Sequence, residues 1–389
     1  MGKALLTICS IVVTFLVVEG GVRLWGIRPY SDRLVAYEFD EELGWRTRNN
    51  FRYFRSTVNY AHFNYYNPNG FPTSQKHWHD SLDSSKSSIA FIGDSFTEGY
   101  YLPYEFTFSN IVGEQLPNMQ IINLGVSGYA PDQYLLAARR HLPRYKVQAI
   151  VVMFFANNDI PDIQRSEYQG YAKPIFGDSL EKPLNTPLQK LGGKKTDRSF
   201  PQMIVDQLAL YTLMRPVIKQ YLAASADQEV DTPLEYSEAN MRLALRFIRQ
   251  IHREFPESQF IVFYVPRYEE LTTPGIFERN VSLFRKIARD LDLSIAVSFD
   301  RSVTVSPRSL YISGDGHVSR HGSALIAQIL LPYLKSKCEE EPKLATPCAH
   351  DIAQEGSSAG VYLTDFTLRD PPVFREGNQE FRDIFELSC

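Results

Sequence analysis

The sequence predicts an α/β fold: a doubly wound, mostly parallel sheet of about five strands, carried behind an amino-terminal hydrophobic anchor. Three observations predict it. From residue 88 onward, short continuous apolar runs alternate with amphipathic segments of helical period, as strands buried on both faces and joined through helices require. The runs end in loops rich in Gly, Asn or Ser, on the edge where an open α/β sheet keeps its ligand crevice. The 389-residue chain is 44% hydrophobic and 22% charged, enough apolar content for a sizeable core.

The five runs are "SIAFIG" (88–93), "MQIINLG" (119–125), "QAIVVMFFA" (148–156), "SQFIVFYVP" (258–266) and "LSIAVSF" (293–299). The helical "PDQYLLAARRHL" leads into the third, "EANMRLALRFIRQIHREF" into the fourth and "FERNVSLFRKIARDL" into the fifth. "RHGSALIAQILLPYL" supplies a closing helix, so the domain runs from 88 to 337. Within it, residues 160–235 hold no clear strand and read as an insertion with one or two helices. Residues 338–389 form a charged, Pro-containing tail, and no internal repeat is evident.

Residues 1–26 are of another kind. After Lys3, "ALLTICSIVVTFLVV" runs without a charge to Glu19. That is the length of a signal core or a short anchor, which Trp25 extends as an interfacial residue. No small-x-small cleavage pattern follows closely, and Ile8 before Cys9 does not suit a lipidated cysteine. The expectation is an uncleaved membrane anchor with the body outside the cytoplasm, periplasmic or extracytoplasmic. Lys3 and the amino terminus favour that orientation, whereas Arg23, Arg28 and Arg33 beyond the run oppose it; a buried helix of a soluble protein is the alternative. A net charge of −4 and the lack of a Lys/Arg block exclude nucleic acid as an expected partner.

Residues 27–87 form an aromatic-rich preamble ending in the polar linker "SLDSSKSS". Its "VNYAHFNYYNPNGFP" suits a small β element packed on the main domain, or else a sugar-stacking platform. The "KHWHD" cluster sets His77 and His79 on one face if it is a strand, but it lacks a third ligand, so no metal and no cofactor are expected. Cys338 and Cys348 bracket a polar loop and are expected to pair in an oxidising compartment.

The chemistry gathers at the loop ends. After the first run comes Gly93-Asp94-Ser95; after the second, "NLGVSG" with Gly125 and Gly128; after the third, Asn157, Asn158 and Asp159; after the fifth, "SGDGHVSRHG" with Asp315 and His317. This is an inventory for acyl transfer. A serine hydroxyl needs an imidazole to take its proton as it attacks. Asp315 is close enough to His317 to fix its tautomer. The Ser95 N–H, the Gly128 N–H and the Asn158 amide are candidate donors to an oxyanion. His321 lies four residues beyond His317, but Ser319 is placed to cap the closing helix, which leaves His317 in the loop as the expected base.

These residues resemble, in order, the four blocks of the SGNH (GDSL-type) hydrolases, membrane-anchored bacterial relatives included. "GDSFTEG" matches the first block, and "INLGVSGYAPDQ" is similar to the second. "FFANND" departs from the third, with Ala156 where glycine is usual. Asp315 and His317 enclose one residue, whereas many members have two. The resemblance spans about residues 88–335 and implies a flavodoxin-like sheet, the triad Ser95–His317–Asp315, and an oxyanion hole of Ser95, Gly128 and Asn158. It also implies hydrolysis of O-acyl, chiefly O-acetyl, esters through an acyl-serine, with an ester or acylated glycan as substrate. An O-acyltransferase using the same site and a non-catalytic scaffold are the competing readings.

Overall fold

A computed structural model describes residues 2–25, 27–29, 33–57, 59–187, 204–223, 234–293, 295–299 and 305–338. In chain order the elements begin with α1 (Gly2–Leu24), the hairpin β1 (Tyr37–Asp40) and β2 (Gly44–Thr47), then β3 (Phe51–Ser56), β4 (Ala61–Tyr66) and β5 (Pro72–Thr73). Next come β6 (Ser87–Gly93), α2 (Ser95–Glu98), α3 (Phe108–Gln115), β7 (Gln120–Gly125), α4 (Pro131–His141) and β8 (Lys146–Phe154). They are followed by α5 (Ala156–Ile163), β9 (Glu167–Tyr168), β10 (Tyr171–Ala172), α6 (Ala209–Ala223) and α7 (Glu238–Glu254). The last are β11 (Gln259–Tyr264), α8 (Tyr268–Thr272), α9 (Ile276–Asp290), β12 (Ile295–Ser298), α10 (Pro307–Leu310) and α11 (Arg320–Cys338).

The central sheet has the order β12-β11-β8-β6-β7, and each pairing in it is parallel. Numbered by occurrence this is the flavodoxin-like winding, whose direction reverses between β6 and β8 and leaves a crevice at their carboxyl ends. Ile89–Ile92 and Ile150–Phe154 are wholly buried, because helices cover both faces. On one face α4 packs with α7; on the other α3 packs with α11. Helix α7 buries Met241, Ala244, Leu245, Ile248 and Ile251, a stripe of helical period, and turns its charged residues outward.

The preamble is β structure. Strands β3, β4 and β5 form a three-stranded antiparallel sheet beside the β1–β2 hairpin. The inner face of this sheet carries Tyr53 and Tyr66, which stack at 6.4 Å. Its outer face carries Arg52, Phe63 and Tyr65, with Trp78 against Tyr65.

Three local expectations change. The insertion does hold strands, the hairpin β9–β10, whose turn has both Gln169 (φ 51) and Gly170 (φ 89) left-handed. That is the geometry of a two-residue hairpin turn, and glutamine at its first position hides the signal. Of the one or two helices expected in the insertion, α6 begins after a turn at 206–207. Asn157, Asn158 and Asp159 lie in the first turn of α5 instead of a loop. His77 closes a 3-10 turn, not a strand; it contacts Asp80 at 2.8 Å while His79 contacts Asn50 at 3.0 Å, so the two do not converge. Cys348 lies outside the described residues.

Candidate active site

Strand β6 runs into a turn too tight for any side chain at its last residue. A Cβ on Gly93 would stand 2.0 Å from the Thr97 hydroxyl, which brings α2 directly onto the strand end. Asp94 caps this single helical turn, its Oδ1 accepting the Phe96 N–H at 2.9 Å. Ser95 is therefore the first residue of α2, held at the carboxyl edge of the sheet.

His317 reaches Ser95 from the far end of the chain. The loop before α11 is closed by the Tyr311–Val318 bridge and by the Ile312 N–H donating to the His317 carbonyl at 2.7 Å. Nε2 of His317 lies 2.9 Å from Ser95 Oγ, and Nδ1 lies 2.5 Å from Asp315 Oδ1. With Nδ1–H donating to the carboxylate, Nε2 is left to accept the serine proton. The rings of Phe96, Tyr100 and Tyr101 surround the imidazole at centroid distances of 4.9, 5.5 and 4.4 Å. Burial pushes the Asp315 carboxyl upward, but the His317 hydrogen bond and charge, with the Arg55 charge, outweigh it and hold the group below the usual carboxylate range. Ser319 Oγ accepts the Gly322 N–H at 3.2 Å at the start of α11, and His321 is exposed.

The other two loops come to the same edge. Gly128 has φ 80, and a Cβ there would lie 2.5 Å from the Tyr168 ring of the β9–β10 hairpin. Tyr168 in turn stacks on Trp45, whose indole N–H donates to the Ser127 carbonyl at 3.0 Å. Asn158 sends one amide hydrogen to Asp94 Oδ2 at 2.6 Å, which leaves its second N–H for another acceptor. Burial raises the Asp94 pKa against the opposing Asn158 and Phe96 hydrogen bonds. Asp159 turns away into the core, where it accepts the Tyr134 hydroxyl at 2.6 Å and the Phe155 N–H at 2.9 Å.

Sequence reasoning missed the contribution of the preamble. Tyr60 donates to Asp315 Oδ2 at 3.4 Å, and His62 Nε2 contacts the Tyr100 carbonyl at 3.1 Å. The Tyr37 and Tyr66 hydroxyls donate to Glu98, at the end of α2. Only the density of tyrosines in 27–87 hinted at this, since no local motif links them to the loops 32 to 255 residues away.

No family profile and no curated protein matches the chain. Among solved structures, it is similar to a member of the lipolytic G-D-S-L family from Veillonella parvula, at 13% identity over 64% of this chain and 98% of that one, with a TM-score of 0.36. A lipase/acylhydrolase from Enterococcus faecalis gives 13% identity over 67% of this chain and 100% of that one, at a TM-score of 0.37. The psychrotrophic esterase EstA from a Pseudoalteromonas species gives 12% over 65% and 98%, at 0.36. At such identities and TM-scores the likeness assigns no residue roles.

Proposed function

We propose that this chain is a serine esterase that cleaves O-acyl, chiefly O-acetyl, esters through an acyl-Ser95 intermediate, acting on cell-surface glycans from a membrane anchor. The observation that carries the reading is the continuous line Asp315–His317–Ser95, with contacts of 2.5 and 2.9 Å. In the first step Ser95 Oγ attacks the ester carbonyl carbon as its proton passes to Nε2 of His317. Asp315 holds the ring and stabilises the imidazolium that forms. The oxyanion is met by the Ser95 N–H, the Gly128 N–H and the free Asn158 amide hydrogen. Collapse breaks the C–O bond, and the leaving alkoxide takes the proton from His317. Water then attacks the acyl-serine with His317 again as base, releasing the acid and restoring Ser95.

A glycan is supported by the outer face of the preamble sheet, where Phe63, Tyr65 and Trp78 stand in a row with Arg52 between them. Phe63, 46% exposed, is the ring a pyranose can reach, whereas Trp78 lies between Arg52 and His79. Transfer of the acyl group to a glycan hydroxyl is the second reading. It is favoured by the cover over Ser95, only 6% exposed, since transfer succeeds where water is kept out.

The test uses the full chain in detergent with an activated acetyl ester, with and without a hydroxylated oligosaccharide. Acceptor-independent acetate release supports the esterase, and acetyl transfer exceeding hydrolysis supports the transferase. A folded protein with neither activity, and with Ser95 unlabelled by a serine-directed phosphonate, overturns both.

A further inference from the structure

We propose that α6 of the insertion is an interfacial helix that rests its apolar face on the lipid surface at the foot of α1, so that the bilayer touches the catalytic domain at two places. The proposal rests on the reading of α1 as a membrane anchor.

Helix α1 is apolar enough over Leu5–Leu24 to cross a membrane. Its large side chains from Leu5 to Val18 are exposed, and among its described residues the buried ones, Glu19 and Val22, lie near its end. A carboxylate in so apolar a helix needs partners, and Glu19 has them in α6. Its two oxygens accept the Ala209 and Leu210 N–H groups at 2.8 and 2.9 Å, which the first turn of α6 cannot satisfy internally. Arg23 completes the clamp, donating from Nε to Glu19 at 2.7 Å and from Nη2 to the Gln207 carbonyl at 2.6 Å. The start of α6 is thus fixed to the last two turns of α1, at the end where an anchor leaves the hydrocarbon.

From that point α6 buries Ala209 and Thr212 and presents Met214, Val217 and Ile218 outward, 41, 57 and 39% exposed. The spacing i, i+3, i+4 makes them one row. Ile204, just before α6, and Leu24 and Trp25, at the end of α1, are exposed as well. The apolar surface of the anchor therefore continues onto α6. Tryptophan at the anchor's end and an apolar row on a helix beside it are what the membrane–water boundary selects. The partner that fits a row continuous with α1 is lipid.

The experiment reconstitutes the full chain, its native cysteines replaced by serine, into phosphatidylcholine–phosphatidylglycerol vesicles. Single cysteines at Leu16, Met214, Val217, Ile218 and Lys286 carry an environment-sensitive fluorophore. The expected result is a blue shift and quenching by spin-labelled lipids at Leu16, Met214, Val217 and Ile218, with Lys286→Cys quenched only by aqueous iodide. Lipid quenching at Leu16 with iodide quenching at all three α6 positions overturns the proposal and leaves the anchor standing. A blue shift on α6 without lipid quenching also overturns it, in favour of a protein partner. Iodide quenching at Leu16 removes the anchor reading and this proposal together.

Discussion

The Glu98 carboxylate accepts the Ser127 N–H at 2.7 Å, tying the turn that carries Ser95 to the residue before Gly128. Tyr66 and Tyr37 donate to the same carboxylate, Tyr66 at 2.6 Å and Tyr37 at 2.7 and 2.9 Å, so the preamble strands help to set the spacing between two of the candidate oxyanion donors.

Glu98→Gln is expected to lower kcat about tenfold with little change in KM, because a two-oxygen acceptor that takes three buried donors is replaced by an amide with a single oxygen. Glu98→Ala removes the shared acceptor of the Tyr37, Tyr66 and Ser127 donors and is expected to cost about 2–4 kcal/mol of stability as well. Steady-state kinetics beside urea unfolding separates the two effects. A Glu98→Gln enzyme with unchanged kcat and only a lower unfolding midpoint would show that the contact serves stability alone.

His317→Ala is expected to lower turnover by about 10⁶-fold, the scale of losing a triad base, and Ser95→Ala by a similar factor. The double variant should be hardly worse than either, since the two residues act as a unit. His321→Ala should retain most activity, because that ring is exposed on the first turn of α11. Single-turnover assays on folded variants decide it; a dead His321→Ala beside an active His317→Ala reverses the assignment.

Asn158→Ala is expected to lower kcat by 10²–10³, about 3 kcal/mol, while KM moves little, because the amide meets charge present only in the transition state. The Asp94 contact adds a complication that the sequence did not show: losing Asn158 strips a hydrogen bond from a buried carboxyl. Asp94→Asn, which keeps the α2 cap, is therefore the control. If it alone reproduces the whole loss, Asn158 acts through Asp94 and not on the oxyanion.

The strands and the order of the loop residues were legible because each rests on local pattern. "SIAFIG" needs only its own apolar run, and Gly93-Asp94-Ser95 needs only the turn it makes. What stayed hidden depends on distant partners. Tyr60 meets Asp315 across 255 residues, and Glu98 meets Tyr37 across 61, pairs that no periodicity encodes. Where α6 begins was not legible for the same reason: its first two N–H groups are capped by Glu19, about 190 residues away. The first turn of α5 was read as a loop because Asn-Asn-Asp is turn-like in composition. Asp159 nevertheless folds back onto the Phe155 N–H and secures the helix start.

Burial, with the Arg55 and Arg320 charges beside it, pushes His62 down to about 4 from the ordinary histidine value of 6.5. Between those values the unfolded chain binds a proton that the folded one refuses. Stability from this residue is therefore complete above pH 6.5 and is lost as pH falls toward 4, by up to roughly 3 kcal/mol at about 1.4 kcal/mol per pH unit. Asp162, raised by burial to about 6, works the other way, gaining stability over part of the same window. The wild-type pH profile mixes the two, and a comparison with His62→Gln isolates the histidine. Glutamine can keep a donor toward the Tyr100 carbonyl but does not titrate. In urea unfolding His62→Gln should match or slightly trail the wild type at pH 7.5, and should gain about 2 kcal/mol on it by pH 4.5. An equal difference at the two pH values would mean that His62 does not remain neutral in the folded protein.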